Sequence, residues 1–335
     1  MKTKNHSIDM LHGPLLGKLL RFALPIVITS IVQQLFNSAD TAIIGRFGTS
    51  GALAAVGTNG EIVAMVVSLS AGLAIGFNVL IAKYIGSGKR DSIRAAVSTS
   101  VLAAGILGIL LLIVGQLTAM PLMQLIHTPQ DILEDAVRYL RIYFLSIPFL
   151  LLYDFIAAIY RAKGDSKKPL LVLLCSGVLN VLLNLLFVIG CGMNIAGVAV
   201  ATLLATAVSA LILFCMLLRE KETFSMTCTG FSGNCLLQIL RIGIPAALQG
   251  AVFCFANIFI QASVNRFGSD AVAGSSISMM FEYLAYYIIT AFGQAATTFI
   301  SQNYAAGKLN RCKKVLWLCM VFAFFACAAI IIPLV

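Results

Sequence analysis

Long apolar segments follow one another along the whole chain, separated by short polar turns. Each is long enough to cross a bilayer, which takes roughly 20 residues. The pattern predicts nine spans, over residues 15–45, 53–84, 93–120, 137–160, 170–189, 195–218, 236–265, 272–303 and from 314 onward. Sustained apolar runs predict helices and exclude a barrel, whose strands are short and alternating. Pro148 interrupts the fourth span. An acidic connection with Asp131, Glu134 and Asp135 precedes it. Polar residues Met1 to Leu11 form a short tail, and the first apolar run is too long for a signal peptide. The longest polar stretch, Arg219 to Asn234, is the best boundary. It divides an N-terminal lobe, residues 1–218 with six spans, from a partial C-terminal lobe, residues 219–335 with three.

The two lobes are copies. Arg21-Phe-Ala-Leu-Pro25 returns as Arg241-Ile-Gly-Ile-Pro245, and Asn37 and Arg46-Phe-Gly48 return as Asn257 and Arg266-Phe-Gly268, at a constant offset of 220. Leu80 to Lys89 returns as Phe299 to Lys308 at an offset of 219. An even number of spans separates the copies, so they run parallel, related by an axis along the membrane normal. The second copy stops halfway, which is read as truncation. The carboxylate occurs in one copy only: Asp40 of the first copy is Ile260 in the second.

Composition sharpens the membrane reading, with 60% hydrophobic and only 11% charged residues, against about 25% charged in a soluble domain. The net charge of +10 calls for no nucleic acid. With the N-terminus inside, all but four of the 23 Lys and Arg (Arg46, Arg138, Arg141 and Arg266) fall on the cytoplasmic side, a strong positive-inside bias. The nine cysteines lie mostly in apolar spans, as small hydrophobes do. Cys228 and Cys235 share the polar loop at a spacing too wide for a zinc knuckle. No His-Glu-x-x-His, Gly-x-Ser-x-Gly or P-loop occurs, which argues against an enzyme and leaves an ion gradient as the energy source for any active transport.

Chemistry concentrates on polar residues inside the spans. Asp40 is an intramembrane acid, and such acids face a bundle interior or a watered cavity unless they snorkel toward a helix end, here toward Arg46. Asn180 and Asn184, four apart, share one face of span 5; they are either a functional polar stripe or interhelical glue worth about 0.6 kcal/mol. Thr202 is less informative, because Thr readily bonds its own helix. Gln34, Asn37, Asp154, Gln249, Asn257, Glu282 and Tyr283 are candidates for a substrate cavity. Asp154 is alternatively a partner for Arg161, and Glu61 carries the same ambiguity as Glu282. Tyr283, Tyr286 and Tyr287 form either a wall for flat cations or an interfacial girdle.

The run Gln33-Gln34-Leu-Phe-Asn37-Ser-Ala-Asp40, followed by Gly45-Arg46-Phe-Gly48, resembles the first span of the MATE (multidrug and toxic compound extrusion) transporters, nearest their bacterial DinF-like branch. Tyr139-Leu-Arg-Ile-Tyr, Arg161-Ala-Lys-Gly-Asp-Ser-Lys-Lys-Pro, Gly197-Val-Ala-Val-Ala-Thr202 and Phe299-Ile-Ser-Gln-Asn extend the likeness over the whole chain. The resemblance implies an all-α polytopic bundle of two six-helix lobes around a V-shaped cavity. About nine of twelve helices are expected here. It implies export of cationic or amphiphilic small molecules across the cytoplasmic membrane in exchange for H⁺ or Na⁺, by a monomer without other cofactors. Asp40, Asn180 and Thr202 match its cation-coupling positions. Asn184 departs from a common Asp, which leaves any Na⁺ site at Asp40, Asn180 and Asn184 poorer in charge and favours H⁺. Phe253 replaces a Glu found in other branches.

Other readings explain less. A flippase for lipid-linked precursors needs a strongly cationic cavity, and these spans hold almost no basic residue. A non-transporting scaffold leaves the polar set at Asp40, Asn180 and Asn184 without a purpose.

Overall fold

The computed structural model describes residues 7–220, 231–264 and 269–332. The boundary stretch near Cys228 and the repeated Arg266-Phe-Gly268 lie outside the described residues. Among those described, ten α-helices and no strand occur: α1 (Leu15–Phe47), α2 (Ser50–Gly86), α3 (Arg90–Leu125), α4 (Gln130–Phe144), α5 (Ile147–Lys163), α6 (Lys167–Asn184), α7 (Asn194–Leu218), α8 (Gly233–Val264), α9 (Ser269–Ala305) and α10 (Leu309–Ile331). The fold is the expected all-α polytopic bundle. Seven helices are long and apolar enough to cross a membrane, and the bent pair α4–α5 makes an eighth. The 37-residue α9 corresponds to the remaining expected span. Large apolar side chains such as Leu117, Phe259, Trp317 and Phe324 are exposed on the outside of the bundle, where a bilayer replaces water as solvent.

Two details differ from the sequence reading and one refines it. The acidic connection is the start of α4, whose Ile132, Leu133, Ala136, Val137 and Leu140 are buried while Asp131 and Glu134 face out. An apolar face wins over polar composition when its spacing is helical. Pro148 marks the expected interruption of the fourth span. It opens α5 at the second position, where no hydrogen bond is lost, after a 43° bend. Cys235 belongs to the first turn of α8 and is buried.

The two sequence copies end their second helices alike. Gly88 and Gly307 both have positive φ, +69° and +75°. Lys89 N bonds Tyr84 O, and Lys308 N bonds Asn303 O. These are the same Schellman closure, which needs a left-handed residue that glycine supplies without strain. Packing between the copies is reciprocal: α2 lies against α8, and α1 against α9. The α2–α8 seam is close because a Cβ on Gly72 would strike the backbone of Ala247, and one on Gly76 the carbonyl of Ile239.

Residues 7–14 run as a strap across the end of the bundle. Ile8 N bonds Gly164 O (3.0 Å). The Met10 side chain is 1% exposed, and its carbonyl accepts from Asn303 Nδ2 (3.1 Å) and Arg311 Nε (3.2 Å). Lys308 holds Leu11 O, and Arg311 also holds His12 O and Gly13 O.

Beyond the end of α7, Glu220 accepts from Lys163 (2.7 Å) and Lys168 (2.8 Å). Burial alone would raise its pKa; the two lysines outweigh burial and hold it below the ordinary 4.5. A carboxylate with a depressed folded pKa adds stability that is full above its unfolded pKa and lost as pH falls through the folded one. Glu220→Gln is expected to cost roughly 1–2 kcal/mol at neutral pH and to flatten the acid side of the profile. Thermal unfolding in detergent between about pH 3 and 7 measures both effects.

Candidate functional site

Three helices build a polar cluster inside an apolar bundle. On α6, Gly177 leaves room for the Phe36 ring of α1, which a Cβ at that position would overlap. This approach brings Asp40, one turn beyond Phe36, to the Asn180–Asn184 face. Asn184 Nδ2 donates to Asp40 Oδ1 at 2.5 Å and reaches Asn180 Oδ1 at 3.3 Å. From α7, Thr202 Oγ1 approaches Asp40 Oδ2 at 3.4 Å, and Asn180 Nδ2 approaches Thr202 Oγ1 at 3.4 Å. Thr202 also bonds its own helix at Val198 O (3.0 Å). Asp40, Asn180, Asn184 and Thr202 are thus one contact set.

The α6 helix changes character immediately after this face. Residues Leu185–Gly190 form a π-helical turn, closed by Cys191 N on Leu186 O (3.0 Å). Single π turns occur mostly at functional positions in helices. Asn184, the last α-helical residue, is fully buried, and its Oδ1 has no hydrogen-bond partner. A buried amide oxygen without a partner costs about 1–3 kcal/mol. A proton on Asp40 or a cation bound between the oxygens would satisfy it once the amide turns.

No basic side chain among the described residues forms an ion pair with Asp40. Among the described residues, the ion pairs involve only Asp9, Asp91, Asp165 and Glu220. Snorkelling of Asp40 to Arg46 is therefore not the arrangement observed. Tyr139 of α4, buried, lies within electrostatic reach of Asp40. Its motif was visible in the sequence, but its direction depends on how α4 packs.

The wider set divides. Gln34 accepts from Tyr287 Oη of α9 at 2.8 Å, and Asn257 of α8 hydrogen-bonds Tyr283. Asn37, Gln249 and Glu282 are exposed. Asp154 belongs elsewhere: it accepts from Ser70 Oγ (2.6 Å) in the α2–α5 seam, with Arg161 in electrostatic range.

The MatE family model matches residues 25–186 and 245–335. Over 304 residues the chain is 30% identical to the probable multidrug resistance protein YpnP of Bacillus subtilis (strain 168), covering 90% of this chain and 68% of that protein. It is 25% identical to the probable multidrug resistance protein YoeA of the same organism, covering 88% and 66%. The chain thus spans about two thirds of the length of these relatives. A crystal structure of a MATE protein in complex with MaL6 superposes with a TM-score of 0.89 at 24% identity, covering 97% of this chain and 72% of that one.

Proposed function

Because the chain belongs to the MatE family, we propose that it forms the ion-coupling part, and some of the substrate cavity, of a secondary exporter. The exporter moves cationic or amphiphilic small molecules out across the cytoplasmic membrane against inward flow of H⁺ or Na⁺. The carrying observation is Asp40: an intramembrane carboxylate without a basic partner among the described residues, held by Asn184 and Thr202. Intramembrane acids of this kind mark ion and proton pathways. The names of the Bacillus relatives, both probable multidrug resistance proteins, support a polyspecific substrate range.

The chain enters with its N-terminus in the cytoplasm, which the distribution of Lys and Arg supports. H⁺ is the favoured coupling ion. The oxygens around Asp40 bring a single formal charge, and a hard cation prefers more charged oxygen ligands. A proton needs only Asp40 and an acceptor, and Asn184 Oδ1 lacks a donor. Efflux by the full-length protein in vesicles, with H⁺ and Na⁺ gradients imposed separately, tests the reading. Transport driven by neither gradient overturns it. Asn184→Asp is expected to add Na⁺ dependence, visible as stimulation by Na⁺ at fixed pH that the parent protein lacks. Saturable Na⁺ drive in the parent without a proton gradient would reverse the choice of ion.

A further inference from the structure

A cavity of about 330 Å³ opens where α1 and α6 begin, beside the strap. The strap forms one wall, Lys18 and Arg21 of α1 a second, and the start of α6 with Lys167 a third. The walls are pinned to one another. Ser166 Oγ donates to Phe22 O of α1 at 2.8 Å, and Ile8 N of the strap donates to Gly164 O at 3.0 Å.

The carboxylates of the cavity are already engaged. Asp165, buried, accepts from the N–H groups of Lys167 and Lys168, both at 3.2 Å, and lies 3.7 Å from the Lys168 ammonium. Asp9 accepts from Leu11 N at 2.9 Å and His12 N at 3.3 Å, with Lys18 Nζ at 3.9 Å. Lys18 Nζ itself donates to Asp9 O and His12 O. Arg21 and Lys167 are exposed, and neither forms an ion pair among the described residues. A positive-inside bias puts basic residues at one end of a bundle; it does not require two uncommitted cations to line one cavity.

Apolar surface adjoins both cations. On α1, Leu24 and Ile28 follow Arg21 at spacings of three and four and are exposed. On α6, Leu171, Val178 and Leu182 follow Lys167 at spacings of four, seven and four and are exposed too. The two helices pack against each other, so their outer faces adjoin. Cations at the head of a two-helix apolar face suit a molecule with an anionic head and acyl chains. Basic pockets between transmembrane helices hold lipid headgroups in this way.

We propose that the cavity at Arg21 and Lys167 binds the phosphate of an anionic phospholipid, whose acyl chains lie along the exposed faces of α1 and α6. On the orientation proposed above, the lipid belongs to the cytoplasmic leaflet. The site shares no residue with the Asp40 cluster and requires the membrane fold, not ion coupling. Because the strap is one of its walls, a bound headgroup joins the chain end to two helices.

The test is native mass spectrometry of the delipidated full-length protein, titrated with dioleoyl phosphatidylglycerol, which is anionic, or dioleoyl phosphatidylcholine, which is zwitterionic. The parent is expected to bind its first phosphatidylglycerol about tenfold more tightly than phosphatidylcholine. Arg21→Gln with Lys167→Gln should remove that preference and leave phosphatidylcholine binding unchanged. Lys89→Gln with Arg90→Gln makes the same loss of charge at the exposed α2–α3 turn and should keep the preference within about twofold. Arg21→Lys with Lys167→Arg retains both charges and should retain most of the preference, which a loss of folding would not allow. No preference in the parent, a preference that survives Arg21→Gln with Lys167→Gln, or equal loss in both charge-removed pairs overturns the proposal. Displacement of phosphatidylglycerol by an equal concentration of inorganic phosphate also overturns it, since the site would then select a free anion.

Discussion

Asp40→Asn is expected to insert and fold normally and to abolish gradient-driven efflux, down to the level of empty vesicles. The substitution keeps the shape, and the introduced amide oxygen still accepts from Asn184 Nδ2, which now donates at 2.5 Å. Exchanging a charge-assisted bond for a neutral one forfeits roughly 1 kcal/mol. Removing an unpaired intramembrane charge returns a comparable amount. Thermal stability should therefore change little. What is lost is titration: an amide cannot take up and release a proton, and it supplies no charge for Na⁺. Ile260→Asp, at the equivalent position of the second copy, should not restore transport, since Asn180, Asn184 and Thr202 all belong to the first. Efflux at matched expression decides. Parent-level proton-coupled transport by Asp40→Asn would remove Asp40 from the mechanism.

The second large effect is on stability. Gly72→Ala is expected to destabilise by roughly 1–3 kcal/mol, because the new Cβ meets the Cα and N of Ala247, backbone atoms that cannot rotate away. Relief requires α2 and α8 to separate along their whole contact. Gly60, on the same helix, has nothing within 4 Å of its Cβ position. There the same exchange should gain up to ~1 kcal/mol of helix propensity. Opposite shifts of the thermal unfolding midpoint in detergent would attribute the effect to the seam. Shifts of the same sign would refute close packing at Gly72.

The parts that were legible in the sequence rest on short-range periodicity. Helical spans follow from apolar run length, and the shared face of Asn180 and Asn184 follows from a spacing of four. The matched caps at Gly88 and Gly307 follow from the repeat. Asp40 was marked by being a carboxylate that the second copy lacks. What remained hidden depends on packing between distant helices. Asp154 could be seen as a buried acid, but its partner Ser70 is on another helix, so the α2–α5 seam was not foreseeable. Glu61 was ambiguous for the same reason, since the groups its charge acts on, Cys254 and Tyr283, come from α8 and α9. The start of α4 was hidden by its three acids, of which Asp131 and Glu134 face out, and the π turn after Asn184 has no composition of its own.

The strap over residues 7–14 gives the bundle a particular kind of closure. Its anchors are far apart in sequence: Gly164 at one side, Asn303, Lys308 and Arg311 at the other. Any motion that parts these two groups must unfasten a chain end before it separates helix faces. That step exposes little apolar surface beyond Met10 but exchanges several carbonyl partners for water. Its barrier is therefore mainly enthalpic, with a small activation heat capacity. Opening at this end of the protein is a local unzipping of backbone, and its rate depends on how firmly Arg311 grips the carbonyls of Met10, His12 and Gly13.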